Sequence, residues 1–294
     1  MSEIYTTPKL AKLEIFLRDN DSYTFWYKPN QYTFRAMKDI EQFKELYHFL
    51  PNTNYGSAEI IREQQPVKMY FDIDYYLEQS RTDILDGCIL LIKSAVKTIL
   101  GITLKDEEII ILTANGYSKK KDCYKHSYHI IINNGVFFKN NREQKLFQDT
   151  LFKTSEDMTL SSKEQHELYE KTIYYNELTK REEEAIDRMA YSYKSQALKL
   201  IYSQNKGEQR YLTWKDGDFT IEDLEKFLVG SYNDKHSSYY DIGYLTNSFI
   251  ARKRNTEYEI KGKHEPNEYK EKLINAKVYN CLLYTSDAAD EEDS

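Results

Sequence analysis

The stretch Val67-Lys68-Met69-Tyr70-Phe71-Asp72-Ile73-Asp74 constrains this chain more than any other. Its β-branched and aromatic residues read as a strand opened by Pro66 and running from Val67 to Ile73. Side chains alternate across a strand. Met69, Phe71 and Ile73 are therefore expected in a core, with Lys68, Tyr70, Asp72 and Asp74 on the other face. Two carboxylates at i and i+2 repel each other unless a cation neutralises them. Mg²⁺ or Mn²⁺ suits oxygen ligands and leaves positions open for phosphate. Taken alone, the pair also suits a strand that simply ends in solvent.

A second strand carries the complementary charge. Tyr124 to Ile132 is apolar at its end, and alternation puts Lys125, Ser127 and His129 on one face. Lys supplies a point charge, Ser a hydroxyl and His a ring N–H, which together suit an anion. A polar strand end with a satisfied histidine reads the same way. A third acid, Asp187, follows a polar stretch and precedes Tyr191, Lys199, Lys206 and Arg210. It would complete a two-metal set, and the three cations could neutralise a triphosphate or a template backbone. As an isolated residue, Asp187 is equally a surface acid.

The remaining pattern alternates strands and helices without a strict parallel rhythm, so an α+β fold with a mixed sheet and flanking helices is expected. Leu13–Leu17 and Tyr23–Tyr27 read as strands and Asp39–Leu50 as a helix. Ser80–Gly101 reads as a helix with Thr82 as N-cap and Gly101 as stop. Glu108–Ala114 reads as a strand, Glu143–Phe152 as a helix, and 154–184 as a solvated helical excursion. Arg210–Trp214 reads as a short strand, Ile221–Val229 as a short helix and Asn255–Lys277 as helical. The partition is 1–65 as an N-terminal α/β part, 66–230 as the core bearing the acids, 231–280 as a C-terminal helical segment and 281–294 as a tail.

That tail, CLLYTSDAADEEDS, resembles the translation of a transposon sequencing adapter, so it is set aside as non-native and the natural chain is expected to run on past Asn280. Its five acids, Asp287, Asp290, Glu291, Glu292 and Asp293, supply five of the seven net negative charges. The rest is near neutral, and a nucleic-acid partner is not excluded on charge. Three cysteines at 88, 123 and 281 make no CxxC pair, which argues against a disulfide framework or a Cys-rich zinc site. No apolar run reaches spanning length, since Lys93 and Lys97 interrupt Cys88–Leu100, and no membrane partner is expected.

Phe71-Asp72-Ile73-Asp74, then Lys125-x-Ser127-x-His129, then Asp187-x-x-x-Tyr191 with Leu198-Lys199 and Lys206, resembles the archaeo-eukaryotic primase superfamily. The nearest branch is the primase-polymerases and the primases of large DNA viruses and herpesviruses. The segment Ala58-Glu59-Ile60-Ile61 before Pro66 is similar too, and the likeness runs from about Tyr55 to Leu212. It implies a primase catalytic core with an RRM-like sheet. Asp72, Asp74 and Asp187 would hold Mg²⁺ or Mn²⁺ as the catalytic acids, while Ser127, His129 and Lys125 would meet the phosphates of an NTP or dNTP. Lys199 stands where relatives carry Arg, in a stretch one residue longer, and Lys cannot reproduce a bidentate fork. Lys206 matches a downstream basic position and Arg210 less closely. The implied activity is nucleotidyl transfer on a single-stranded DNA template, with a replicative helicase, fused or separate, as partner. The implied setting is inside the cell, in a nucleus or a cytoplasmic viral factory. Two other classes share parts of the pattern. A DxD glycosyltransferase explains Asp72 and Asp74 but not the Lys125-Ser127-His129 row. A non-catalytic single-strand-binding subunit explains the basic and aromatic residues but not three acids.

Overall fold

The computed structural model describes residues 4–240 apart from 21–24, 31–32, 47–53, 64, 78–80, 158–161, 192–193, 206 and 231–238. Two units divide the chain, Met1–Thr246 and Asn247–Ser294, and every described residue belongs to the first. The helix expected over Asn255–Lys277 and the tail lie outside the described residues. So does the 231–280 segment except for Tyr239–Tyr240.

Two five-stranded sheets organise the described chain. The first runs in the order Tyr5–Thr7, Thr33–Met37, Phe25–Asn30, Ala58–Ile61, Gln196–Lys199, antiparallel throughout. The second runs Thr213–Trp214, Ile109–Thr113, Cys123–Ile132, Tyr70–Tyr76, also antiparallel, with Gly116–Ser118 folded back on Cys123–Ile132. The α+β class is therefore present, but the expected mixed sheet is not, because the parallel pairs are confined to two-residue ladders elsewhere. The reason is topological. The helix Thr82–Leu100 returns the chain so that Tyr70–Tyr76 and Ile109–Thr113 run the same way, and Cys123–Ile132 inserts between them. The unit is a split β-α-β, in which each parallel pair is separated by an antiparallel strand.

The helix Thr82–Leu100 forms because Ile84, Leu85, Cys88, Leu91, Ile92, Ala95, Val96 and Ile99 recur at helical spacing, and all are buried. Gly101 ends it in the left-handed region at φ 74°. Thr82 is the first helical residue rather than the cap, which is Arg81 without a capping side chain. Phe71, Ile73 and Tyr75 pack with this helix and with Phe147 and Leu151 of the helix Asn141–Glu156. Cys88 and Cys123 are buried and form no disulfide.

Two further expectations are corrected. Leu13–Leu17 lies in a helix, Leu10–Arg18, not a strand. Strand alternation would bury Leu13, Ile15 and Leu17 together. Instead Leu13 and Leu17, four apart, are buried while Ile15 is half exposed. The 154–184 stretch is not an all-helical solvated excursion. It contains a short helix, Lys163–Glu170, and a hairpin of Ile173–Asn176 with Arg181–Glu184, whose Tyr169 and Tyr174 are buried. The non-core face is covered at and just before the start of the Tyr70–Tyr76 strand. Lys68 and Tyr70 are buried, Lys68 Nζ donating to the Glu225 carbonyl at 2.6 Å and Tyr70 lying 5.4 Å from the Tyr191 ring. The chain passes between the sheets near residue 65, and Gln196–Lys199 returns from the second part to the first sheet.

Candidate active site

The site begins as a register. Along the Tyr70–Tyr76 and Cys123–Ile132 ladder, Asp72 stands opposite His129, Asp74 opposite Ser127, and Tyr76 opposite Lys125. Direct cross-strand partners share a face and bring their Cβ atoms within about 5.5 Å. The two acids and the Lys125-Ser127-His129 row therefore meet on one face, while Phe71, Ile73 and Tyr75 fill the core on the other.

The far edge of the acid strand is closed by the segment carrying Asp187. Asp74 N donates to Ala185 O at 2.8 Å and Asp187 N to Asp72 O at 2.9 Å, with Ile73 and Ile186 bridged between. Asp187 is thus brought beside Asp72 by backbone pairing. Its own Oδ1 accepts from Met189 N at 2.8 Å, capping the turn Arg188–Ala190. Tyr191 OH accepts from Asp72 N at 3.0 Å and so fixes the acid strand from the same segment. Burial raises that phenol's pKa well above its ordinary value, so it remains a neutral group.

Electrostatically the cluster is poised rather than settled. Asp72 Oδ1 and Asp74 Oδ1 are buried with no hydrogen-bond partner. Burial and the Asp74 charge push the Asp72 carboxyl up to about 8, with Lys125 opposing and Asp187 reinforcing the shift. Lys125 Nζ pairs with Asp74 Oδ2 and lies 5.6 Å from the Tyr76 ring centroid. Burial works against the Lys125 ammonium, yet Asp74 holds its pKa above the ordinary value. His129 Nε2 stands 3.8 Å from Asp72 Oδ1, and Nδ1 is buried without a partner. Burial and the Lys199 charge push its pKa down to about 4, so the imidazole is neutral at pH 7. Lys199, at the end of its strand, makes no hydrogen bond or ion pair among the described residues. Burial and Lys125 lower its pKa, while Asp72 and Asp74 oppose that fall.

The nine residues expected at the site thus divide. Asp72, Asp74, Lys125, Ser127, His129 and Lys199 are gathered, and Asp187 joins them through its backbone and its field. Arg210 is engaged by neighbouring protein groups, and its charge still acts on Lys199. Its guanidinium pairs with Glu208 and donates to Ala114 O at 3.0 Å, and its stem lies across Gly116, where a Cβ would stand 2.9 Å from Arg210 Cγ. Lys206 lies outside the described residues. Among the described residues, no three His, Cys, Asp or Glu side chains are grouped as a ready metal cage. The two orphaned oxygens of Asp72 and Asp74 nevertheless fit a hard divalent cation, which takes unpaired carboxylate oxygen. Sequence reasoning missed Asn115, whose Oδ1 accepts from Ser127 N at 2.8 Å while Nδ2 donates to Tyr128 OH at 2.8 Å. The Asn115-Gly116 pair after a strand was the signal, because asparagine in a turn bonds nearby backbone.

Compared with known proteins, the chain matches no family model and no curated protein sequence.

Proposed function

We propose that this chain is a DNA primase or primase-polymerase of the archaeo-eukaryotic superfamily, making primers on single-stranded DNA by template-directed nucleotidyl transfer. The observation that carries the reading is the register opposing Asp72 and Asp74 to His129 and Ser127, with Lys125 and Lys199 beside them. Acids with orphaned oxygens next to a cationic row suit a metal-bound triphosphate, whereas a sugar nucleotide needs no such row. The split β-α-β unit is compatible with an RRM-like primase core.

Asp72 and Asp74 would hold Mg²⁺ or Mn²⁺, with Asp187 adding charge to the same field. When bound, the ion would activate a 3′-hydroxyl and neutralise the leaving pyrophosphate. Lys199 offers an unpaired ammonium to the triphosphate of an NTP or dNTP. Lys125, which pairs with Asp74, would serve a phosphate oxygen of the bound nucleotide and leave the Asp74 carboxylate to the ion. Neutral His129 donates a ring N–H and Ser127 its hydroxyl to the same group. Tyr191 keeps the Asp72 backbone fixed throughout. A replicative helicase, fused or separate, would supply the single strand.

The test is synthesis of labelled oligonucleotides on single-stranded DNA with Mn²⁺ and NTPs or dNTPs. The parent chain yields short products and Asp74→Asn yields none. A parent as silent as Asp74→Asn overturns the reading. One observation favours a second reading, a nucleic-acid-binding subunit without catalysis: the Asp187 Oδ1 is spent on Met189 N and Lys125 on Asp74. Strand binding by the parent without synthesis would select it.

A further inference from the structure

The hairpin formed by Gly116–Ser118 and the start of Cys123–Ile132 carries a feature that the acid cluster does not use. Tyr117 stands directly opposite Tyr124. Both rings are exposed, at 53% and 36%. Strand alternation puts them on the face opposite Lys125, Ser127 and His129. The turn between them presents Lys119, Lys120 and Lys121, all exposed, against one acid, Asp122, which accepts from the Tyr117 hydroxyl. Asp122 sits in the left-handed region at φ 55°, which closes the turn tightly and holds the lysines at its tip.

The exposed pair is also anchored. The Tyr124 ring lies 4.9 Å from His126, and His126 stacks on buried Tyr75 at 4.6 Å, 15° from parallel. A column of rings thus rises from the core and ends at the surface on Tyr124 and Tyr117. Large, rigid aromatic faces beside clustered ammonium groups match a polymer that alternates flat bases with phosphates. A duplex hides its base faces and an acidic peptide has none, so the occupant that satisfies both halves is a single strand.

We infer that the Tyr117–Tyr124 hairpin is a single-stranded nucleic-acid platform, on which bases stack on the two tyrosines and phosphates follow Lys119, Lys120 and Lys121. The inference deepens the function proposed above, and rests on it in taking that strand to be the template. Lys125 follows Tyr124 but faces the other side of the sheet, into the acid cluster, so a template held here would have to pass around the end of the hairpin to reach the site.

The experiment is fluorescence anisotropy of the full chain with labelled oligothymidine of about 15 nucleotides, within the usual span of such sites, without nucleotide or metal. The Tyr117→Ala/Tyr124→Ala double variant is expected to bind on the order of ten-fold or more weakly, while Tyr117→Phe/Tyr124→Phe keeps parental affinity because it keeps the rings. Replacing Lys119, Lys120 and Lys121 by Ala should reduce the slope of log affinity against log salt by about 2. Glu156→Gln, in a separate ion-pair cluster, should bind as the parent does. Equal binding by the alanine and parent chains, no binding by the parent, or equal competition by a duplex of the same length each overturns the platform. Because the assay holds neither nucleotide nor metal, it fails independently of the nucleotidyl-transfer reading, whose own failure is a parent silent in the synthesis assay.

Discussion

Two clusters of charge lie in this molecule, and they are built on opposite terms. One joins Arg188 to Glu156 and Glu184, with Tyr169 OH donating to both carboxylates and the guanidinium over the Phe152 ring at 4.1 Å. It is part-exposed, and its members fasten the helix Asn141–Glu156, the helix Lys163–Glu170 and the Arg181–Glu184 strand together. The other joins Asp72, Asp74, Lys125, His129 and Lys199. It is half-buried, two carboxylate oxygens and a ring nitrogen of His129 lack partners, and the Lys199 ammonium is unpaired among the described residues. A fastening cluster satisfies its own groups. The acid cluster retains unmet demand for a cation and an anion, which is the condition for binding both.

Substitutions should separate the two. The largest effect belongs to Asp72→Asn and Asp74→Asn. Each is expected to lower synthesis on the order of a thousand-fold. Thermal melting should show Asp72→Asn as stable as the parent or more so, because burial and the Asp74 charge already disfavour its carboxylate, whereas Asp74→Asn, which leaves Lys125 without its partner, should melt lower. Loss of folding in Asp72→Asn would place this pair with the fasteners instead.

Next in size is a pH dependence peculiar to the acid cluster. Asp72 keeps its proton up to about 8 in the fold but releases it near 3.8 when unfolded. The folded state therefore binds the extra proton across that interval, and stability falls as pH rises through it. His129 acts with the opposite sign between about 4 and 6.5, and Lys68 does so above about 8. Between 6.5 and 8 the Asp72 contribution is separate from both. With divalent ions chelated, the melting temperature should fall over that window, and Asp72→Asn should lack that part of the fall. An identical profile in the variant would contradict the assignment.

Tyr191→Phe sharpens the comparison at a smaller scale. It removes the acceptor of Asp72 N and leaves that N–H unpaired, at a cost of about 1–3 kcal/mol in denaturant unfolding. Synthesis should fall with it through misplacement of Asp72. The smallest effect is expected for Glu156→Gln in the fastening cluster. Its carboxylate is 41% exposed, so the loss should be no more than about 1 kcal/mol, with synthesis unchanged.

The acid cluster was largely legible in the sequence because strand alternation is a strict rule. Once Tyr70–Tyr76 and Cys123–Ile132 pair antiparallel, the i, i+2 spacing of Asp72 and Asp74 and of Ser127 and His129 places all four on one face. Lys199 was reachable only through the resemblance, since nothing local says that a strand of the first sheet ends beside acids of the second. The partners of Arg210, Glu208 and the Ala114 carbonyl, were not legible because they depend on how Gly116 lets the stem approach. Leu13–Leu17 failed for a different reason: five apolar-rich residues fit either period, and burial of Leu13 and Leu17 decided for the helix. The 173–184 hairpin was obscured by its charge, since Arg181–Glu184 is polar throughout and pairs as a strand because Ile173–Asn176 offers it an edge.

The central claim is that Asp72 and Asp74 share a cation with a nucleotide, displacing Lys125. A crystal structure with Mn²⁺ and a non-hydrolysable nucleoside triphosphate tests it most directly. The expected result is an anomalous manganese peak bound by both carboxylates, with Lys125 and Lys199 on phosphate oxygens. Manganese bound elsewhere, or Lys125 still seated on Asp74 with the triphosphate absent from this face, would contradict the account.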